Sequence, residues 1–344
     1  MDDILLCNIS YLFLWLIQVK HRIYLFSVLM MMKLLLRILF FLLPLYLFLC
    51  LIDSKMDEAV KLKSCSKQNW ILNIKNQQFD FVFLGSSRVE GMMDVGFLCK
   101  ETGLKGINIG VSGAGHEELF LLFNMFLKNG NKVKKLYYQN DIYGFQVKAG
   151  VSYHFHDYEF LPYLNDSTVI SVFKELRPHL KFYAWKYIPF FKYSEFNVKY
   201  PIKVLFSNSI CYNDLYDSFG SVFFNKLNMP FEYNIPKRPK AYSFNPIGLK
   251  YVKKILRLTQ KHNIELSLYT APEHTSLYPT QLNRKELNIK IKELAEQYNG
   301  EYWLFENDSI CQEKSLFVNA THLNEKGTKL FTNKFLKEVI LSQE

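Results

Sequence analysis

Residues 79–91 read Phe-Asp-Phe-Val-Phe-Leu-Gly-Ser-Ser-Arg-Val-Glu-Gly, and this stretch constrains the fold more than any other. Phe79, Phe81, Val82, Phe83 and Leu84 make a short apolar run, rich in aromatic and β-branched residues, that ends at Gly85. A strand buried on both faces reads this way. Ser86, Ser87 and Arg88 follow, and the next residues can be helical. A strand, a tight Gly turn and a helix together place the turn at the carboxyl end of a sheet, with backbone N–H groups facing whatever binds there. A serine at such a turn is placed to act as a nucleophile. Read by itself, the same serine fits an ordinary helix N-cap.

The rest of the chain supplies the sheet that such a strand needs. Strands are expected at 106–109, 133–139, 264–270 and 301–305, and helices at about 88–100, 116–128, 246–262, 280–299 and 324–341. Strands separated by helical patterns imply βαβ units and a mostly parallel sheet. The interval 145–245 breaks this rhythm. It is crowded with Phe and Tyr, contains Trp185, and carries prolines at 162, 178, 189, 201, 230, 236 and 239. A connection of that length must carry structure of its own. It reads as an insertion over the carboxyl edge of the sheet, either a lid whose aromatic faces stack on sugar rings or simply packed helices.

Residues 1–52 form a hydrophobic region. A first apolar stretch, 4–19, is short for a bilayer; Lys20, His21 and Arg22 interrupt; a second runs from Ile23 to Ile52. The segment from about 34 to 52, with Arg37 snorkelling, is long enough to span. Lys33 and Arg37 precede it, which predicts a cytoplasmic amino side and a large domain outside the cytoplasmic membrane. No A-x-A site follows, so an uncleaved anchor is expected. Met-Lys-Leu-Leu-Leu-Arg at 32–37 also reads as a natural start. Residues 53–77 are polar and read as a short helical stalk, leaving 78–344 as the folded domain.

The formal net charge is +10, of which residues 1–37 contribute +2. The lysines are scattered and no nucleic-acid motif is present, so an anionic surface or glycan is the expected partner rather than nucleic acid. Six cysteines include no CxxC pair, which argues against a zinc site. His154 and His156 have no evident third ligand, so no metal is expected. Gly110-x-x-Gly-x-Gly115 lacks the spacing of a dinucleotide fingerprint.

Four loops at expected strand ends carry polar groups: Gly85-Ser86-Ser87, Asn108-Ile-Gly-Val-Ser-Gly113, Gln139-Asn140-Asp141, and Asn319-Ala-Thr-His322. A serine, an imidazole and oxyanion donors are what acyl transfer requires. With these motifs the chain resembles the SGNH hydrolase superfamily, the GDSL-type esterases and acyltransferases. It is most similar to membrane-anchored members that modify cell-envelope polysaccharide and teichoic acid. The resemblance covers about residues 78–142 and 264–341. It implies a three-layer α/β/α, flavodoxin-like sheet, Ser87 as nucleophile and His322 as base. It also implies an oxyanion hole from the N–H groups of Ser87 and Gly113 with the Asn140 amide, and no cofactor. Acylated glycan or an acyl donor, the membrane, and a membrane acyltransferase are the partners it suggests. Tyr138 stands where the family has Gly in the third block.

The larger departure is Asn319, where the family has the Asp that steadies the histidine. A neutral amide can orient the ring but supplies no charge, and the equivalent change in a serine protease costs about 10⁴-fold in rate. Three outcomes follow: a Ser87–His322 dyad assisted by Asn319, another carboxylate (Asp308, Glu273 or Asp94) in the acid's place, or a non-catalytic accessory protein that binds glycan. Taken without Ser87, His322 fits a residue beside a helix start. Asn108 and Asp141 also fit turn-formers. Glu273 and His274 read as a solvated loop.

Overall fold

The computed structural model describes residues 2–63, 66–140, 153–194, 202, 205–206, 216–224 and 230–343. Asp141, Cys65 and Cys211, and the side chains of His154 and His156, lie outside the described residues. The chain divides into two units, Met1–Lys55 and Met56–Glu344.

The second unit is built on five parallel strands: β1 (Gln78–Leu84), β2 (Gly106–Asn108), β3 (Lys132–Gln139), β4 (Glu265–Thr270) and β5 (Glu301–Leu304). Their order is β2-β1-β3-β4-β5. The chain therefore winds outward from β1 in one direction and then reverses, so β1 and β3 flank the point of reversal. In parallel sheets of this kind, the point of reversal at the carboxyl ends of the strands is where ligands generally bind. The register puts Leu84 opposite Tyr138, and Phe83 opposite both Asn108 and Tyr137. Ser87, Asn140 and the loop that contains Gly113 thus leave one edge of the sheet from neighbouring strands.

Side chains alternate between two cores, as strands covered on both faces require. On one face Val82, Leu84, Leu136, Tyr138 and Leu268 pack with Leu122 and Phe126 of helix His116–Lys128, and with Tyr251 and Ile255 of helix Pro246–Lys261. On the other, Phe81, Phe83, Tyr137 and Tyr269 meet Leu98 of helix Val95–Thr102 and Phe331 and Phe335 of helix Glu325–Phe335. Phe335 plugs this second core. Its ring lies 5.4 Å from that of Phe83 and 5.2 Å from those of Tyr137 and Tyr269.

Several expectations change in detail. The helix expected at 88–100 is two, Ser87–Glu90 and Val95–Thr102, because Gly91 ends the first and the Asp94 carboxylate caps the second by accepting from Phe97 N–H at 2.9 Å. The final helix ends at Phe335 and continues as a single π turn, Leu336–Ile340. Residues 53–77 are not a free stalk. Met56, Ala59, Val60, Ile71 and Leu72 are buried, and helix Lys67–Asn73 joins the first core.

The insertion contributes helices Tyr153–Phe160, Ser167–Leu176, His179–Tyr187 and Phe191–Ser194. Phe160, Phe173, Phe182, Trp185 and Tyr193 are almost wholly buried, so these aromatics serve packing rather than an open sugar-stacking face. Residues 216–224 do reach the carboxyl edge: Phe219 O accepts from Asn108 N–H at 2.8 Å and Val222 N–H donates to Glu90 O at 2.9 Å.

The first unit is the greater part of one continuous helix, Asp2–Lys63, which runs through Lys20–Arg22 without a break. Its hydrophobic side chains between Trp15 and Leu51 are largely exposed, and its mean hydropathy reaches 2.6. It is long and apolar enough to cross a membrane.

Candidate active site

Gly85 makes the turn after β1 because nothing larger fits. A Cβ there would lie 2.5 Å from Val89 Cγ2 and 2.9 Å from Gln139 Cβ. Ser86 takes the N-cap position of the short helix Ser87–Glu90, yet its hydroxyl makes no capping bond and sits 3.4 Å from Gln139 Oε1. Ser87 begins the helix, and its Oγ lies 2.8 Å from His322 Nε2. The capping role available to either serine in the sequence is taken by neither side chain.

His322 is carried on a small hairpin, β6 (Phe317–Asn319) and β7 (His322–Leu323), in which Asn319 pairs with His322. The Asn319 side chain builds the turn: its Oδ1 accepts from the backbone N–H groups of Thr321 and His322, each at 3.0 Å. The same oxygen lies 3.0 Å from His322 Nδ1, and the Thr321 hydroxyl is 3.0 Å from both that oxygen and that nitrogen. The Phe224 ring packs edge-on against the imidazole at 5.6 Å.

The three carboxylates considered as substitutes for an acid are engaged elsewhere. Asp94 caps its helix, and Asp308 caps Ser309–Gln312 and pairs with Lys334. Glu273 is not in a solvated loop; it is 1% exposed, with Oε1 2.7 Å from Arg88 Nη1 and Oε2 2.6 Å from Arg284 Nη1. His274 caps the following 3₁₀ turn and lies between the rings of Phe231 and Phe317, where burial holds its pKa below the usual histidine range.

Asn140 follows β3. Its N–H donates to Tyr269 O at 2.9 Å and its carbonyl accepts from Thr270 Oγ1 at 2.8 Å. The side chain is buried, 1% exposed, and neither its Oδ1 nor its Nδ2 has a partner among the described residues. A buried, unpaired amide costs free energy and calls for an explanation. Gly113 has φ +76°, a left-handed conformation that favours glycine. Beside it, Ser112 is fastened by Glu90: N–H to Oε2 at 2.8 Å, and hydroxyl to the same oxygen. Asn108 proves a turn-former, donating to Val89 O at 2.8 Å and accepting from Gly110 N–H at 2.9 Å.

Several residues that support this arrangement carry no motif. Arg88 is buried directly after Ser87 and donates to Ala271 O, Pro272 O and Glu273. Lys67 is buried too, donating to Gly220 O at 2.7 Å and lying 3.5 Å from Glu90 Oε1; burial pushes its pKa down to about 8. Arg88 stands between Ser87 and Val89, and Lys67 between Ser66 and Gln68, so neither position signals a buried charge in the sequence. Among the described residues no group of three His, Cys, Asp or Glu side chains could hold a metal ion.

No family model matches the chain, and no curated protein sequence matches it. The solved structures that match include an inferred acylhydrolase from Bacteroides fragilis NCTC 9343, 10% identical, with a TM-score of 0.38, covering 83% of this chain and 94% of that one. Another is a GDSL-like lipase from Bacteroides thetaiotaomicron VPI-5482, also 10% identical with a TM-score of 0.38, covering 78% of this chain and 89% of that one. At so distant a similarity, the chemistry rests on the side chains of this chain.

Proposed function

We propose that the chain is a serine O-acyl esterase or acyltransferase. The observation that carries this reading is the contact of Ser87 Oγ with His322 Nε2 at 2.8 Å, made by residues 235 positions apart. In the proposed reaction His322 Nε2 accepts the Ser87 proton as Oγ bonds to the acyl carbon. The negative charge that develops on the carbonyl oxygen meets the N–H groups of Ser87 and Gly113 and the Asn140 amide. Collapse breaks the ester C–O bond, and the leaving alkoxide takes the proton from His322. Water or a sugar hydroxyl then attacks the acyl-enzyme, giving its proton to His322, and Ser87 leaves with that proton restored.

An apolar helix able to span a bilayer supports tethering to the cytoplasmic membrane. The basic residues before the span support an external catalytic domain. Envelope polysaccharide is the proposed acyl acceptor or donor, and acetyl the proposed group. The resemblance of the motifs supports that choice, together with the scattered positive charge outside the apolar region. A membrane acyltransferase is the partner that would supply acyl groups.

Neutral Asn319 favours a second reading, an accessory glycan-binding protein that keeps the fold without the reaction. The two separate on p-nitrophenyl acetate, given to the full chain in detergent. Nitrophenolate release that drops by more than about 10³-fold in Ser87→Ala supports the esterase. Release equal in both proteins, or none in either, supports the binder.

A further inference from the structure

Asn319 Oδ1 has four potential donors around it: the N–H groups of Thr321 and His322, the Thr321 hydroxyl and His322 Nδ1, all at 3.0 Å. An amide oxygen has two lone pairs. The backbone N–H groups cannot turn away, so they fix which end of the amide faces the histidine. They also use most of what the oxygen can accept. Two groups are left to compete, and only one of them, the hydroxyl, can donate and accept at once.

The three distances are equal, so donor and acceptor roles decide the competition. Thr321 Oγ1 is 3.0 Å from Asn319 Oδ1 and 3.0 Å from His322 Nδ1. With the hydroxyl donating to the amide oxygen, its own lone pair accepts from Nδ1–H. The opposite tautomer would leave the Nδ1 lone pair facing Asn319 Oδ1 at 3.0 Å, acceptor against acceptor.

We propose that Thr321, held by Asn319, stands in for the missing carboxylate as a neutral relay that keeps the proton on His322 Nδ1. This inference rests on the esterase reading of Ser87 and His322. Thr321 is a positioning residue: it acts through the imidazole, 3.0 Å from His322 Nδ1. Nε2 is thereby left unprotonated and facing Ser87 Oγ. When Nε2 takes the serine proton, Nδ1–H stays on Thr321 Oγ1, and no proton passes to the relay. Asn319 acts indirectly, by fixing the direction of the Thr321 hydroxyl.

The test is the second-order rate at which a fluorophosphonate labels Ser87 in the full chain in detergent. Thr321→Val keeps the shape and removes the hydroxyl; Thr321→Ser restores the hydroxyl. Thr321→Val is expected to label about 10- to 100-fold more slowly, and Thr321→Ser within about threefold of the parent, because a misplaced tautomer costs much of the general-base contribution. In an Asn319→Asp background the carboxylate takes Nδ1–H directly, so Thr321→Val should there cost less than about threefold, a non-additivity that a purely structural threonine would not show. Equal labelling of Thr321→Val and parent overturns the relay while leaving the esterase intact. An equal loss in both backgrounds also overturns the relay. Absence of label on parental Ser87 overturns the esterase reading and the relay with it.

Discussion

Asn140 is tied down through its backbone, while its buried amide bonds to nothing among the described residues. If the amide is kept for an oxyanion, removing it should harm rate and not fold. Asn140→Ala is expected to lower turnover about 10²- to 10³-fold. The same variant should be no less stable to urea, and up to about 1 kcal/mol more stable, because a buried unpaired amide is lost. Lys67 gives a pH test. Its folded pKa, about 8, lies below the ordinary lysine value, so between the two the unfolded chain binds more protons and stability rises with pH. Between pH 8 and 9.5 this single group should contribute about 1 to 2 kcal/mol of that rise. Urea titrations at the two pH values should show the slope in the parent and its loss in Lys67→Met. Ser87, Asn140, Asn319 and His322 stood out in the sequence because each sits in a short motif at a strand end. Lys67, Glu90, Arg88 and Thr321 did not. Three of them act through buried charge pairs or bonds to distant segments such as Gly220 and Glu273, and Thr321 is an unmarked position inside the Asn319–His322 motif.

Helix Glu325–Phe335 and the hairpin before it carry the histidine, so their seating on the sheet sets the serine–histidine distance. Phe335 fixes that seating among Phe83, Tyr137 and Tyr269. Phe335→Ala should destabilise the folded domain by about 3 to 5 kcal/mol in urea unfolding. Element type was legible wherever period and caps agreed. The helix at 116–128 and the strand at β1 are examples, one by its apolar face and the other by its continuous apolar run. Gly91 and Asp94 break the helix expected at 88–100, a break that helical spacing on either side obscures. The 3₁₀ turn Thr275–Thr280 and the hairpin Phe317–Leu323 were too short to leave a period at all.

The molecule joins a long apolar helix to a parallel α/β sheet whose strand order, β2-β1-β3-β4-β5, turns back beside the nucleophile loop. That order could be anticipated only through the resemblance of the motifs, since alternating helices and strands fit several parallel arrangements. The packed character of residues 66–73 could not be anticipated, because polar Lys67, Gln68 and Asn69 are buried there. If the helix is an anchor, the full chain should sediment with membranes and stay there after high-salt and alkaline washes, while a chain starting at Met56 should be released. Intact-mass analysis of the full chain after fluorophosphonate treatment, followed by peptide mapping, bears most directly on Ser87 and His322 as a working pair. One adduct, mapped to Ser87 and absent from both Ser87→Ala and His322→Ala, is the expected result. No adduct on the parent, or an adduct that persists in Ser87→Ala, would contradict it.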